Sequence, residues 1–182
     1  TITGAGKIQI ASGQFPAGDA SDFADRGIVE FNGGTNTTSL PGALNDVIVN
    51  LDDPANNLIL MDDLTIQGHL NIDQGQLQIN DSNSSTPLEI TVRGDVEVKD
   101  GGAFTVGEHT TIDDETGGNY TDYNALGTGD LGFYKSHHVL NCYGDIVNEG
   151  TISFTNEDQP DYRDLSNKGA VTLFMKGASN NK

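Results

Sequence analysis

The sequence contains one cysteine, no tryptophan and few basic residues. A single cysteine excludes a disulfide within the chain, and a 7% share of aromatic residues requires a mainly aliphatic core. Nine Lys and Arg against 27 Asp and Glu give a formal net charge of −18 over 182 residues. Phosphate groups and anionic membranes are bound by clustered basic residues, so nucleic acid and a membrane surface are not expected partners. No apolar run is long enough for insertion into a membrane.

Apolar and polar residues alternate through most of the chain. Successive side chains of a β-strand point to opposite faces, so this period of two predicts strands with one buried and one solvated face. Clear examples are Leu70-x-Ile72, Leu88-x-Ile90-x-Val92 and Val171-x-Leu173-x-Met175. Gly, Asn, Asp and Pro separate the segments, as expected of turns. No helix of eight or more residues is predicted, and the best candidate, 19–26, lacks an apolar stripe. The pattern predicts an all-β fold of short strands.

A glycine-containing unit recurs along the sequence. It reads Φ-x-Gly-x-Φ-x-Φ-x-x-Gly-x-Φ, where Φ is apolar, and it fits residues 4–15, 66–77, 92–104 and 142–152. The second glycine of the third unit is assigned to Gly101. Equivalent glycines at 68, 94 and 144 give spacings of 26 and 50 residues. Short strands at such a period are typical of a solenoid. A β-sandwich also contains frequent turns, but it would not require the glycine-containing unit to recur. We therefore predict a parallel β-helix (β-solenoid) over residues 1–182.

Residues 107–138 break the alternation, which predicts one long loop insertion in the β-helix. A loop of this length in a tight array is usually functional or disordered. The candidate binding residues are Tyr120, Tyr123, Tyr134 and His137. The tyrosines could stack on sugar rings of a glycan or pack the loop against the solenoid. The alternation continues at residues 2–8 and 171–177 without an evident cap, so we expect covalent continuity with further segments of a longer protein.

Calcium is the one cofactor that the sequence suggests, because acidic turns supply the oxygen ligands that this ion prefers. The candidate ligands are Asp52, Asp62 and Asp73, which recur about every ten residues. The alternative is a solvated acidic face, since no EF-hand loop is present. The four histidines lack zinc spacing. Cys142 has inward parity and is predicted to be a small buried hydrophobe.

A carbohydrate-active enzyme of the β-helix type, a hydrolase or a lyase, is the alternative function. Glycosidases use two carboxylates, but the adjacent pairs at 52–53, 62–63 and 113–114 would face opposite sides of a strand. Gly68-His69-Leu70 departs from the Gly-His-Gly of pectin hydrolases, and Arg93 and Lys99 lack a supporting lyase motif. No catalytic residue is predicted. A third hypothesis is a spacer without a ligand.

The runs at residues 27–34, 44–50, 64–72 and 142–156 resemble the long surface proteins of Bacteroidetes. The likeness covers most of the chain outside 107–138. Members of that group carry β-solenoid regions, are exported by type IX secretion and include gliding-motility adhesins. The resemblance implies a non-catalytic structural and adhesive segment of a large secreted bacterial cell-surface protein. Its expected location is extracellular, and its expected partner is a glycan or another surface ligand.

Overall fold

The computed structural model describes residues 5–11, 15, 21–38, 40–80, 87–107, 137–154 and 170–177. This part of the chain contains fifteen strands and one short helix, α1 (Ser21–Arg26), so the predicted all-β class is confirmed. Helix α1 has six residues and falls within the segment that was the best helix candidate. Within the described ranges, no helix has the length and apolarity needed to cross a bilayer.

The strands, numbered in chain order, form three parallel stacks, of which the first two share β8 in one ten-stranded sheet. The first stack contains β1 (Lys7–Ile10), β2 (Ile28–Phe31), β5 (Asp46–Asn50), the first part of β8 (Leu70–Ile79), β10 (Val96–Val98) and β13 (Ile146–Asn148). The second contains β3 (Asn36–Thr38), β6 (Asn57–Leu60), the second part of β8, β11 (Gly102–Val106) and β14 (Thr151–Ser153). The third contains β4 (Ala43–Leu44), β7 (Leu64–Ile66), β9 (Glu89–Val92), β12 (His137–Cys142) and β15 (Ala170–Met175).

The chain visits the three stacks in a fixed order. From β4 to β14, successive segments belong to the third, the first and the second stack in turn. Each return to a stack adds one strand beside the preceding one, and every pairing is parallel. Equivalent residues of neighbouring turns therefore lie next to each other, although they are 18 to 50 residues apart in sequence.

The parallel register arranges the inward side chains in columns. In the first stack, Val47, Leu70, Val96 and Ile146 occupy one column, and the first three are no more than 2% exposed. Comparable columns in the other two stacks contribute Leu, Ile, Val and Phe to the same core. Burial of each such side chain stabilises the fold by about 1.5–3 kcal/mol before the entropy of ordering is subtracted. The alternation in the sequence is thus realised as one continuous aliphatic core.

A column of glycines precedes the strands of the first stack. The Gly94 amide donates a hydrogen bond to the Gly68 carbonyl at 2.8 Å. A Cβ atom on Gly94 would lie 2.5 Å from that oxygen, and one on Gly144 would lie 2.4 Å from the Gly94 oxygen. No side chain fits where successive backbones approach this closely, which explains the first glycine of the third and fourth units. A Cβ on Gly6, in the first unit, would meet no atom within 4 Å.

One detail of the sequence prediction was wrong. The second glycine of the third unit is Gly102, not Gly101, because Gly102 lies in register with Gly75 on the neighbouring strand. The loop insertion predicted at about 107–138 falls almost wholly outside the described residues, and the next described element, β12, begins at His137 and pairs with β9 and β15. Pairing to two neighbours extends the strand into a segment whose sequence alternates poorly.

The two ends of the third stack differ. At one end, α1 packs against the outermost strand β4, with Phe23 only 2% exposed and its carbonyl accepting a hydrogen bond from the Asn45 amide. A short helix therefore covers an edge for which the sequence indicated no cap. At the other end, no described strand pairs with the outer edge of β15, and Leu173 and Met175 are 37% and 55% exposed.

Candidate functional site

The outer face of the third stack brings together residues from three turns of the chain. Val92, Cys142 and Met175 are in register on β9, β12 and β15, and the first two are fully buried. Each residue that follows them therefore points outward, and these residues are Arg93, Tyr143 and Lys176. The ladder continues through them, since the Tyr143 amide bonds to the Val92 carbonyl at 2.9 Å and the Lys176 amide to the Cys142 carbonyl at 2.7 Å.

Tyr143 lies between the two cations. The Arg93 guanidinium is 5.6 Å from the centre of the Tyr143 ring, and the Lys176 Nζ is 5.7 Å from it. Lys176 Nζ is also 6.0 Å from the centre of the Phe174 ring, which is 48% exposed. Cation–π attraction holds such groups within about 6 Å of a ring. We call Arg93, Tyr143, Phe174 and Lys176 the Tyr143 platform.

The cations of the platform differ from other basic residues of the protein. Lys7 and Lys99 each form an ion pair at 2.7 Å, with Glu30 and Asp73 respectively. The hydrogen bond and charge of Asp73 raise the pKa of Lys99. Within the described ranges, neither Arg93 nor Lys176 has a carboxylate within ion-pair distance, and both are exposed. Their positive charge is therefore not neutralised by a direct contact, in a chain with a large excess of acids.

Polar groups border the platform on the same face. Asn141 lies on β12 in register with Thr91 and Phe174, and its side chain is 3% exposed. Its Nδ2 donates to Glu89 Oε1 at 2.7 Å and to Thr91 Oγ1 at 3.3 Å. Glu89 is exposed. The face therefore combines an aromatic surface, two cations and an exposed carboxylate, which the buried Asn141 amide positions. Such a face can contact both the C–H faces and the hydroxyl groups of a sugar.

The sequence analysis named four candidate binding residues, of which only the backbone of His137 is described. Tyr120, Tyr123 and Tyr134 fall outside the described residues, so their assignment stays a prediction. His137 is the first residue of β12, where its backbone is in register with Ala170. Tyr143 was not among the predicted binding residues, although the inward parity assigned to Cys142 already required its neighbour to point outward.

The predicted calcium ligands occupy three different positions along the chain. Asp52 lies between β5 and β6 and accepts a hydrogen bond from Asn56, whereas Asp62 lies between β6 and β7. Asp73 lies within β8 and is paired with Lys99. Across the described ranges, no three His, Cys, Asp or Glu residues are grouped as metal ligands. The calcium site stays a prediction without structural support.

Asp53 and Asp63, each a member of an adjacent acidic pair, accept hydrogen bonds from backbone amides. Asp53 Oδ1 accepts from the Ala55 amide at 2.8 Å, and Asp63 Oδ1 accepts from the Glu89 amide at 2.7 Å. The first contact stabilises a tight turn by satisfying a backbone donor, and the second joins segments 26 residues apart in sequence. The pair at 113–114 lies outside the described residues.

A column of polar side chains, formed by Asp46, His69 and Asp95, runs beside the column of glycines and accepts hydrogen bonds from backbone amides. Asp46 Oδ1 accepts from the His69 amide at 2.8 Å, His69 Nδ1 from the Asp95 amide at 3.1 Å, and Asp95 Oδ1 from the Asp145 amide at 2.9 Å. Because His69 Nδ1 is an acceptor, the neutral ring carries its proton on Nε2. We call Asp46, His69 and Asp95 the capping column. Each of these side chains binds the backbone of the next turn of the chain beside the glycine column.

The buried carboxylate Glu30 is fully explained by its neighbours. Its oxygens accept hydrogen bonds from Lys7 Nζ at 2.7 Å, Gln9 Nε2 at 3.1 Å and Asn50 Nδ2 at 3.3 Å. The bond from Lys7, supported by those from Gln9 and Asn50, lowers the pKa of Glu30 against the opposing effect of burial. This arrangement holds β1, β2 and β5 together, so Glu30 has a structural role.

Cys142 and His138 are both fully buried on β12. Burial raises the pKa of the Cys142 thiol, which agrees with the predicted small hydrophobe. His138 Nδ1 accepts a hydrogen bond from the Leu88 amide at 2.9 Å. Neither side chain is accessible to a large ligand.

No protein-family model matches the chain, and comparison with curated proteins and with solved structures found no significant match. Function is therefore inferred from the chemistry of the Tyr143 platform.

Proposed function

We propose that the three stacks are the faces of a parallel β-helix. The ordered passage of the chain from stack to stack, the parallel registers and the glycine column at one corner support this architecture. In such a fold the core runs along the axis, and the outer face of each stack is available for binding. Main-chain hydrogen bonds between successive turns give a rod its rigidity.

We further propose that this rod is a non-catalytic, structural and adhesive segment of a large secreted bacterial cell-surface protein that binds glycans. The resemblance to surface proteins of Bacteroidetes supports the location and export by type IX secretion, and adhesion or gliding motility are the processes it suggests. The carrying observation is the Tyr143 platform, where an aromatic ring lies between two exposed cations that have no carboxylate partner among the described residues. The net charge of −18 would keep neighbouring rods from associating.

The test is to incubate the purified chain with a panel of polysaccharides, with and without calcium, and to measure binding and reducing-end formation together. Y143A is expected to weaken binding about tenfold, the upper range for a lost aromatic contact, whereas Y143F should keep it. V147A removes an exposed apolar residue from the first stack and serves as the matched control. Cleavage of any glycan would refute the non-catalytic assignment, and binding unaffected by Y143A would refute the site.

A further inference from the structure

We infer that the ligand of the Tyr143 platform is an acidic polysaccharide with a negative charge about once per disaccharide. This inference rests on the proposed glycan-binding function and names the class of glycan. Its basis is the pair of exposed cations, Arg93 and Lys176, which have no carboxylate within ion-pair distance among the described residues. A neutral sugar would make no use of their charge, whereas uronate or sulfate groups would.

The spacing of the two cations fits a repeating ligand. Arg93 and Lys176 are separated by one intervening turn, which contributes Tyr143. Two strand spacings place their backbone positions about 9.6 Å apart along the stack. This is close to the length of one disaccharide in an extended β-linked chain. A glycan lying along the stack axis can therefore place an anionic group at each cation while a sugar ring between them contacts Tyr143.

Nearby acids do not remove this preference. Asp95 and Asp145 are exposed and lie two residues beyond Arg93 and Tyr143. Asp95 Oδ1 accepts from the Asp145 amide, and its Oδ2 is 3.5 Å from His69 Nδ1, so this carboxylate is directed along the capping column. The overall charge of −18 still opposes the approach of a polyanion. At about 0.15 M salt the screening length is about 8 Å, so the contacts at the platform decide the affinity.

The experiment compares acidic glycans with neutral versions of the same backbone. Oligosaccharides of hyaluronan and of unsulfated chondroitin, which are β-linked and carry one carboxylate per disaccharide, are each tested beside a carboxyl-reduced form by titration calorimetry in 0.15 M salt. We expect at least one acidic glycan to bind about fivefold or more tightly than its neutral form. R93Q and K176Q should each lose about fivefold of the acidic affinity, the upper range for an exposed ion pair, and little of the neutral affinity.

Three further variants separate the possible failures. R93K keeps the charge and should keep the preference, while K99Q removes a paired lysine from another face and should change nothing. Y143A should weaken both glycan forms. Equal binding of acidic and neutral forms would refute the charge preference and leave glycan binding intact. Binding of no glycan would refute both proposals, and equally tight binding of a single-stranded oligonucleotide would show that charge alone, without sugar recognition, is responsible.

Discussion

Replacing Gly94 with alanine tests the close stacking of turns at the glycine corner. The new Cβ would lie 2.5 Å from the Gly68 oxygen and 2.8 Å from its carbonyl carbon. Both are backbone atoms, so relief requires the two turns to separate and weakens the hydrogen bond between them. Overpacking of this kind costs about 1–3 kcal/mol, and a lost backbone bond adds about 1 kcal/mol. We expect G94A to lower the free energy of unfolding by about 3 kcal/mol.

The measurement is urea and thermal unfolding followed by circular dichroism. For a chain of this length, a change of about 3 kcal/mol corresponds to a fall in Tm of about 8 °C. G42A is the matched control, because a Cβ on Gly42 would have no atom within 4 Å, and its stability should change by less than about 0.5 kcal/mol. If G94A and G42A unfold at the same urea concentration, successive turns do not stack through this glycine column.

Three other perturbations probe the core, the buried charge and the thiol. L70A removes a fully buried side chain and should destabilise the protein by about 3 kcal/mol, whereas L173A at the exposed end should cost about 1 kcal/mol or less; equal losses in urea unfolding would contradict the assigned burial. E30Q should lower stability at pH 7 by about 2 kcal/mol. Because the folded pKa of Glu30 is lowered, its contribution is present above its ordinary value and lost as pH falls through the folded value, so wild type and E30Q should converge in acid. A constant difference between the two proteins from pH 7 to pH 3 would show that the Glu30 carboxylate is not stabilised by its neighbours. Cys142 should react with a thiol reagent only as fast as the protein opens, and rapid labelling of the native protein would contradict its burial.

Much of the architecture could be predicted from the sequence. The alternation of inward and outward side chains, and the close approach of neighbouring backbones, both restrict which residues can occupy a position. Inward positions must be apolar in every turn of the chain. A corner glycine is required only where two backbones approach closely, and Asn45 occupies this position in the turn before Gly68. Strand β3, with the sequence Asn-Thr-Thr, has no such signature. Its pairing with β6 supplies the hydrogen bonds that make it a strand, and this long-range effect overrides local preference.

The candidate site was harder to predict than the fold. The outward direction of Tyr143 could be predicted from the alternation of inward and outward side chains. The position of two cations beside its ring could not. Arg93 and Lys176 lie 50 and 33 positions away in the numbering, and only the register of three strands places them against one ring. The register of strands joined by connections of unequal length is determined by packing of the core, and it cannot be predicted from a local sequence pattern.

The capping column keeps the same hydrogen-bond geometry although the connections between its residues differ greatly in length. Equivalent residues are 26 apart from His69 to Asp95 and 50 apart from Asp95 to Asp145, yet the amide contacts are 3.1 and 2.9 Å. Doubling the length of a flexible loop adds only about 0.6 kcal/mol of closure entropy. The pairing of β12 and β13 with earlier strands is therefore maintained across the long connection between Gly107 and His137. Because the paired strands on either side keep their register across this connection, we expect sequences of other length or composition to be accepted there without loss of the strand pairing.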